Sequence, residues 1–474
     1  MFMKMKISEI DLILIITYLL LVALVGFLAK LKETHSTKDD FILAGRRLSL
    51  PFFVASLVAT WYGNILGIGE FVYRSGIVAW ICFGVPYYIS AILFAKFFAG
   101  RINSSKFSTI PEQISAKFGS TAGFFASIVV LIITLPAAYL LMMGVLFQLL
   151  TGINLPLSII IVAVLSTIFL FYGGFKSDIW VNTLQFVMMY IGFLVLLYFS
   201  VTELGGFSDM ISKLPSRHLS WTGDKSLQYV LAWFIISLQT FIDPSFHQRC
   251  AAARSSKTAR NGIYASVALW LMFDTLTLIT GLYARAYFDI AEPLQAYPML
   301  AQSVVPQIWL GLFFIGILSV IMSTFDSYAF ISAVTIGNDI MKKFIKNRDT
   351  IFLTRIGLVI SVGLSIILGI AIPSAIDLIY KTSSIAIPGL FLPTVLSFVE
   401  NWNIPKNKVL LLILLPATIS LIWVMLQSTV NNLFIGDIEP MMPGILMSVI
   451  LAIIFIRKNR TKLTSVHKMW ETLE

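Results

Sequence analysis

Charged residues are scarce in this sequence. Asp, Glu, Lys and Arg make up 12% of its 474 residues, while hydrophobic residues make up 58%. Soluble globular domains carry about 25% charged residues, so the deficit excludes the roughly three soluble domains that length alone would give. Cysteine is scarce as well. Cys82 and Cys250 offer neither a disulfide framework nor metal-ligand spacing. The four histidines, His35, His218, His247 and His467, are scattered. No HExxH, GxSxG or Walker sequence occurs, which leaves no catalytic constellation and argues against an ATP-driven pump. The formal net charge is +10, yet no basic stripe with interleaved aromatics appears, so nucleic acid is not an expected partner.

What the chain has instead is long apolar runs. Thirteen candidate spans fall at 10–30, 51–73, 77–99, 123–150, 155–173, 179–203, 227–246, 261–286, 307–336, 351–372, 375–399, 408–426 and 438–456. The run from Asp11 to Leu31 is long enough to cross a bilayer and lacks a cleavage site, so it reads as a retained first span. In hydrocarbon every backbone polar group needs an internal partner, so the spans are expected to be helices. The alternating runs of a barrel are missing. An all-α membrane protein in one polytopic domain, 1–474, is therefore expected.

The basic residues orient it. Lys32, Lys38, Arg46 and Arg47 follow the first span, Arg249, Arg254, Lys257 and Arg260 the seventh, and Lys342, Lys343, Lys346 and Arg348 the ninth. Segments 287–306 and 427–439 have no Lys or Arg. By the positive-inside rule the N-terminus lies outside a cytoplasmic (inner) membrane and the tail, 457–474, inside.

Two spans carry unusual chemistry. The second contains WYGNILGIGE, with Gly63, Gly67 and Gly69 beside Asn64 and Glu70. These glycines fit either a discontinuous helix whose freed carbonyls coordinate a cation or close packing through small residues. The ninth contains IMSTFDSYAFIS, where Ser323, Thr324, Asp326 and Ser327 place four oxygen-bearing side chains within five residues. Alkali cations take such oxygen ligands, and a carboxylate at membrane depth signals function by default. Hydroxyls bonding back to their own helix are the alternative. Asp377 and Lys381, at i,i+4, neutralise each other. Asp178 and Asp243 lie near span ends and read as solvated. Asp274 lies deep in the eighth span, where a solute ammonium, a proton or an internal Arg would suit it.

Five segments in order resemble the sodium/solute symporter family, which includes bacterial sodium/proline and sodium/galactose transporters. They are FILAGRRLSL (41–50), TIPEQISAKFG (109–119), GGFKSDIWVNTLQF (173–186), HQRCAAARSSKTAR (247–260) and IMSTFDSYAFISAVTIGNDIMKK (321–343). The resemblance implies a leucine-transporter-type core, a five-helix inverted repeat over 51–399. A leading helix at 10–30 precedes it and two additional helices at 408–456 follow. It also implies a sodium site made by the carbonyls of Ala59, Tyr62 and Val320 and the hydroxyls of Ser323 and Thr324. The family's Trp-Thr-Asp becomes Trp180-Val181-Asn182 here. A family serine position aligns with Asp326, so a second cation site of Asn182, Ser323, Asp326 and Ser327 would keep its carboxylate by moving it. Trp61 replaces an aspartate of the sodium/proline transporter, which makes proline a poor substrate.

The expected function is sodium-coupled symport of a small solute by alternating access, with Na+ as coupling ion and no organic cofactor. Candidate substrate-lining groups are Asn64, Glu70, Trp233, Gln239 and Asp274. The solute is an amino acid, amine, sugar or carboxylate. The lipid bilayer is the surroundings, and no protein partner is called for. Proton coupling, or a non-transporting sensor on the same fold, are the alternatives.

Overall fold

The computed structural model describes residues 7–31, 37–372, 375–399, 402–429 and 438–458. The expected tail beyond residue 458, the basic loop 32–36 and the side chain of Asp377 fall outside them. The principal helices run, in chain order, α1 Glu9–Leu31, α2 Leu50–Ala59, α3 Ile65–Ser75, α4 Val78–Ser104, α5 Ser120–Thr134, α6 Ala137–Thr151 and α7 Leu155–Leu204. They continue as α8 Leu227–Ile236, α9 Pro244–Ala252, α10 Ser256–Tyr287, α11 Trp309–Val334, α12 Thr350–Ala371, α13 Ala375–Ser397, α14 Lys406–Thr429 and α15 Met441–Phe455. Nine helices among the described residues are long and apolar enough to cross a membrane. That differs from the thirteen expected spans for physical reasons. Some spans are broken, so α2 is only 10 residues long. Two others share α7, a 50-residue run interrupted at Gly174, whose φ of 57° and ψ of −151° are not helical. A Cβ there would also sit 2.7 Å from the Phe41 carbonyl oxygen, so the turn requires glycine.

The second span is discontinuous. α2 ends at Ala59, and helical backbone resumes only after Asn64. A second break, unmarked in the hydropathy, splits the expected 227–246 span. Here α8 tightens into a 3-10 turn, Ser237–Phe241, and α9 starts at Pro244. The cause is local. A proline ring disfavours helical backbone at the residue before it, and Asp243 is extended (φ −71°, ψ 113°) and caps α9 through its carboxylate, which accepts from Ser245 N at 2.8 Å. Each break lies in the first member of a run of five spans, the placement expected of a repeat.

Two compact units are distinguished, Met1–Ser108 with Thr134–Tyr380, and Thr109–Ile133 with Lys381–Glu474. In the second, Lys117 closes a helix end by donating to the carbonyls of Leu396 and Val399, and Gln113 donates to Ser397 O at 3.0 Å. α14 meets the start of the last helix through Ile438, whose carbonyl accepts from Gln427 Nε2 at 2.9 Å.

In the first unit α11 is the axle. Of its apolar stretch 94% is buried, against 28% for α1, so α11 faces protein all round while α1 is little covered by the described residues. Three polar contacts hold α1 in place. Asp11 Oδ1 accepts from the backbone N–H groups of Ile308 (2.9 Å) and Gly311 (2.8 Å), capping the first turn of α11. The Tyr18 and Ser319 hydroxyls bond at 2.6 Å, and Ser177 Oγ donates to Gly26 O at 2.6 Å. Replacing a helix-capping carboxylate by alanine costs about 0.5–2 kcal/mol. Asp11→Ala is therefore expected to lower the melting temperature of detergent-purified protein while Asp11→Asn lowers it less; equal melting of all three would show that the cap contributes nothing.

Candidate functional site

Breaking a helix inside a bilayer frees carbonyls that nothing in the hydrocarbon can satisfy. At the α2–α3 break these carbonyls are met from α11. Ser323 Oγ donates to Ala59 O at 2.7 Å and Thr324 Oγ1 donates to Thr60 O at 2.9 Å. The same two hydroxyls also reach back to Val320 O, at 2.9 and 3.3 Å. Ala59, Val320, Ser323 and Thr324 are all buried. Four of the five residues implied for the sodium site thus converge. Tyr62 is the partial exception. Neither hydroxyl donates to its carbonyl, and Thr60 stands in that role. Gly63 allows the approach, because a Cβ there would lie 2.6 Å from Thr324 Cβ and 2.5 Å from Tyr139 Cδ1. Both meanings of the glycine cluster therefore hold at once, an interrupted helix and a close contact.

The residues expected in a second cation site separate into two groups. Asn182 Nδ2 donates to Ser327 Oγ at 3.0 Å, and Ser327 Oγ donates to Asp178 at 2.9 Å. Asp326 points elsewhere, with Gln185 Nε2 donating to its Oδ2 at 3.4 Å. Its Oδ1 is buried with no hydrogen-bond partner among the described residues, as are Gln185 Oε1 and Asn182 Oδ1.

A cation already stands beside Ser327. Arg249, counted in the sequence as a loop charge, is fully buried and lies 3.7 Å from Asp178. Its guanidinium donates to Thr60 Oγ1 (2.7 Å), Ser327 Oγ (3.0 Å), Ser56 Oγ (3.2 Å) and Ser56 O (3.3 Å). Asp178, expected to be solvated, is fully buried too, because Arg249 neutralises it. Asp243 is likewise buried at 3% exposure, since Tyr328 Oη (2.9 Å) and Ser245 N donate to it. Sequence reasoning missed this cluster, although Asp178 and Asn182 at i,i+4 share a helix face.

The candidate substrate groups are dispersed. Glu70 accepts from Arg74 Nε at 2.9 Å, an i,i+4 pair that removes its free charge. Trp233 packs edge-on against Phe83, 4.3 Å between centroids, in a cluster with Val78, Cys82 and Val230. Gln239 lies in the turn before the second break, its carbonyl accepting from Ile242 N at 2.9 Å. Asn64 ends the first break, and its Oδ1 is buried without a partner. Asp274 accepts a hydrogen bond from Tyr88 Oη. Trp61, in the first break, lies 5.1 Å from Trp270, 5.2 Å from Tyr87 and 5.7 Å from Phe246 between ring centroids.

Comparison with known proteins follows this geometry. The sodium-coupled monocarboxylate transporter 2 of Mus musculus is 22% identical over 73% of this chain and 59% of its own length. The high-affinity choline transporter 1 of Drosophila melanogaster is 22% identical over 76% of this chain and 62% of its own. For the sodium/myo-inositol cotransporter of Homo sapiens the figures are 26%, 77% and 59%. The chain therefore spans about six tenths of the length of these relatives. Among solved structures, a Na+-coupled sialic acid symporter in a substrate-bound outward-open state superposes with a TM-score of 0.77 at 17% identity, covering 96% of this chain and 100% of that one. Mhp1, a nucleobase-cation-symport-1 family transporter, gives 0.52 at 13% identity, covering 87% and 95%. These likenesses give the fold as the leucine-transporter type, all-helical and membrane-spanning. The description of the sodium:solute symporter family matches residues 41–403, and on that match the protein belongs to the sodium:solute symporter family.

Proposed function

We propose that this protein is a secondary active transporter that couples the movement of a small organic solute to sodium by alternating access. The observation that carries the proposal is the meeting of Ser323 and Thr324 with the carbonyls freed at the α2–α3 break. A sodium ion held there by Ala59, Val320, Ser323 and Thr324, with Thr60 or Tyr62 completing the shell, ties α2 to α11 through oxygen ligands alone. Its binding requires both hydroxyls to turn their protons away and offer lone pairs, which exchanges hydrogen bonds for ion contacts. Ion and solute must stabilise the same state, each raising the affinity of the other equally. The membrane potential adds about 2.3 kcal/mol per sodium charge per 100 mV. The distribution of Lys and Arg supports a cytoplasmic membrane with the N-terminus outside and the C-terminus inside.

A second coupling cation belongs to the same reading, drawn from Asn182, Ser323, Asp326 and Ser327. Its support is the pair of unpartnered buried oxygens, Asp326 Oδ1 and Asn182 Oδ1. Because Arg249 supplies the positive charge beside Ser327, a cation at that hydroxyl requires the guanidinium to withdraw, whereas Asp326 has no basic partner among the described residues to displace. That same lack favours proton coupling through Asp326 as the second reading.

Two measurements test these proposals. Ser323→Ala and Thr324→Ala are each expected to raise the sodium concentration needed for half-maximal uptake or thermal stabilisation by about tenfold or more, since one lost ion ligand is worth at least about 1.4 kcal/mol, while Thr324→Ser stays near the parent. Unchanged sodium titrations in both alanine variants would remove sodium from this site. Asp326→Asn separates the two readings. It is expected to lower the number of sodium ions moved per solute if a second sodium binds there, and to abolish the response to a pH gradient alone if a proton does; no change in either places the coupling elsewhere.

A further inference from the structure

Asp274, deep in α10, is a carboxylate without a basic partner among the described residues, and an unpaired charge at membrane depth is costly enough that it persists for function. Of the partners left open by the sequence, an internal arginine is ruled out by geometry. The hydrogen-bond partner of Asp274 is the Tyr88 phenol. Arg249, the buried arginine of this unit, is committed to Ser56, Thr60, Ser327 and Asp178. Tyr62, in the first break, stands beside the same carboxylate while its hydroxyl donates to Trp270 O at 3.1 Å. One turn back along α10 from Asp274 stands Trp270. The Trp61 and Trp270 rings are 5.1 Å apart at 34°, and Tyr87 abuts Trp61 edge-on. The Trp270 Nε1–H is buried and has no acceptor among the described residues.

A carboxylate bonded to a phenol and one helical turn from a pair of indoles is chemistry that suits an organic cation. Aromatic faces attract ammonium groups, more strongly when desolvated, and the carboxylate supplies a countercharge. A carboxylate solute would meet like charge here with no Lys or Arg to offset it. A sugar would need several convergent hydrogen-bonding groups in place of ring faces. The idle Trp270 N–H adds a place for one acceptor atom on the solute. We infer that Asp274, Tyr88, Tyr62, Trp61 and Trp270 bind the ammonium group of a small organic cation bearing a hydroxyl or carbonyl oxygen. This assignment rests on the symport reading and narrows it; it departs from the monocarboxylate and inositol named for two of the relatives and agrees with the choline named for a third.

The test is thermal stabilisation of the full chain in detergent, in sodium and in potassium. The probes are a set of primary and quaternary amino alcohols and amino acid esters, each with its uncharged carbon isostere, together with lactate and myo-inositol. In sodium, at least one ammonium compound is expected to raise the melting temperature and its isostere to leave it unchanged. Asp274→Asn should weaken that binding by about tenfold or more, and Trp270→Phe and Tyr88→Phe by less. Trp309→Phe, at the first residue of α11 beside Phe199, should not. If Asp274→Asn does not fold, the two milder variants carry the same comparison. Stabilisation by lactate or inositol in sodium, with none by the ammonium compounds, overturns the assignment and leaves symport standing. Equal stabilisation by an ammonium compound in both salts keeps the cation site and overturns sodium coupling. No effect of any ammonium compound in either salt, or full binding in all three variants, overturns the assignment.

Discussion

Backbone carbonyls released at mid-membrane have to be satisfied from within the protein. In this protein the demand falls at Ala59 and Thr60, and Ser323 and Thr324 meet it. Most features of the first unit follow from that constraint. α11 has to pass alongside the break, so it is enclosed on every side. The break has to come within hydroxyl reach of α11, so position 63 has no side chain. The outer helix α1 in turn grips α11 through Asp11 and Tyr18, which fixes the register of the residues that face the break.

The same pair of helices is joined a turn away by charge. Arg249 draws Ser56 and Thr60 of the broken helix, Asp178 of α7 and Ser327 of α11 into one buried cluster. Buried ion pairs add little net stability over apolar packing, but removing one partner leaves a costly charge. Thr60 belongs to both networks, offering its carbonyl to Thr324 and its hydroxyl to Arg249. Thr324 and the guanidinium of Arg249 are thus linked through a single residue.

Chemistry confined to one stretch of chain was readable in the sequence. The glycines around Asn64 and the hydroxyls at 323–327 mark the break and its partner, because backbone irregularity and oxygen ligands both leave local signs. The second break was not readable in the same way. Its span is continuous in hydropathy, and only the Asp243–Pro244 step betrays it. Arg249 and Asp178 were misplaced for a different reason. Counting charges assigns each to its nearest loop, whereas burial depends on a partner supplied by a distant helix. The same limit scattered the substrate candidates. Glu70 is satisfied by Arg74 on its own helix, while Asp274 is met across the fold by Tyr88.

At the centre of this account is an ion that takes over the freed carbonyls from the hydroxyls of Ser323 and Thr324. A structure determined in sodium and again in potassium, at a resolution that shows bound ions, tests this most directly. The account predicts density among Ala59 O, Val320 O, Ser323 Oγ and Thr324 Oγ1 in sodium that disappears in potassium. Both hydroxyls still donating to the Ala59 and Thr60 carbonyls in saturating sodium, with ion density elsewhere, would contradict it.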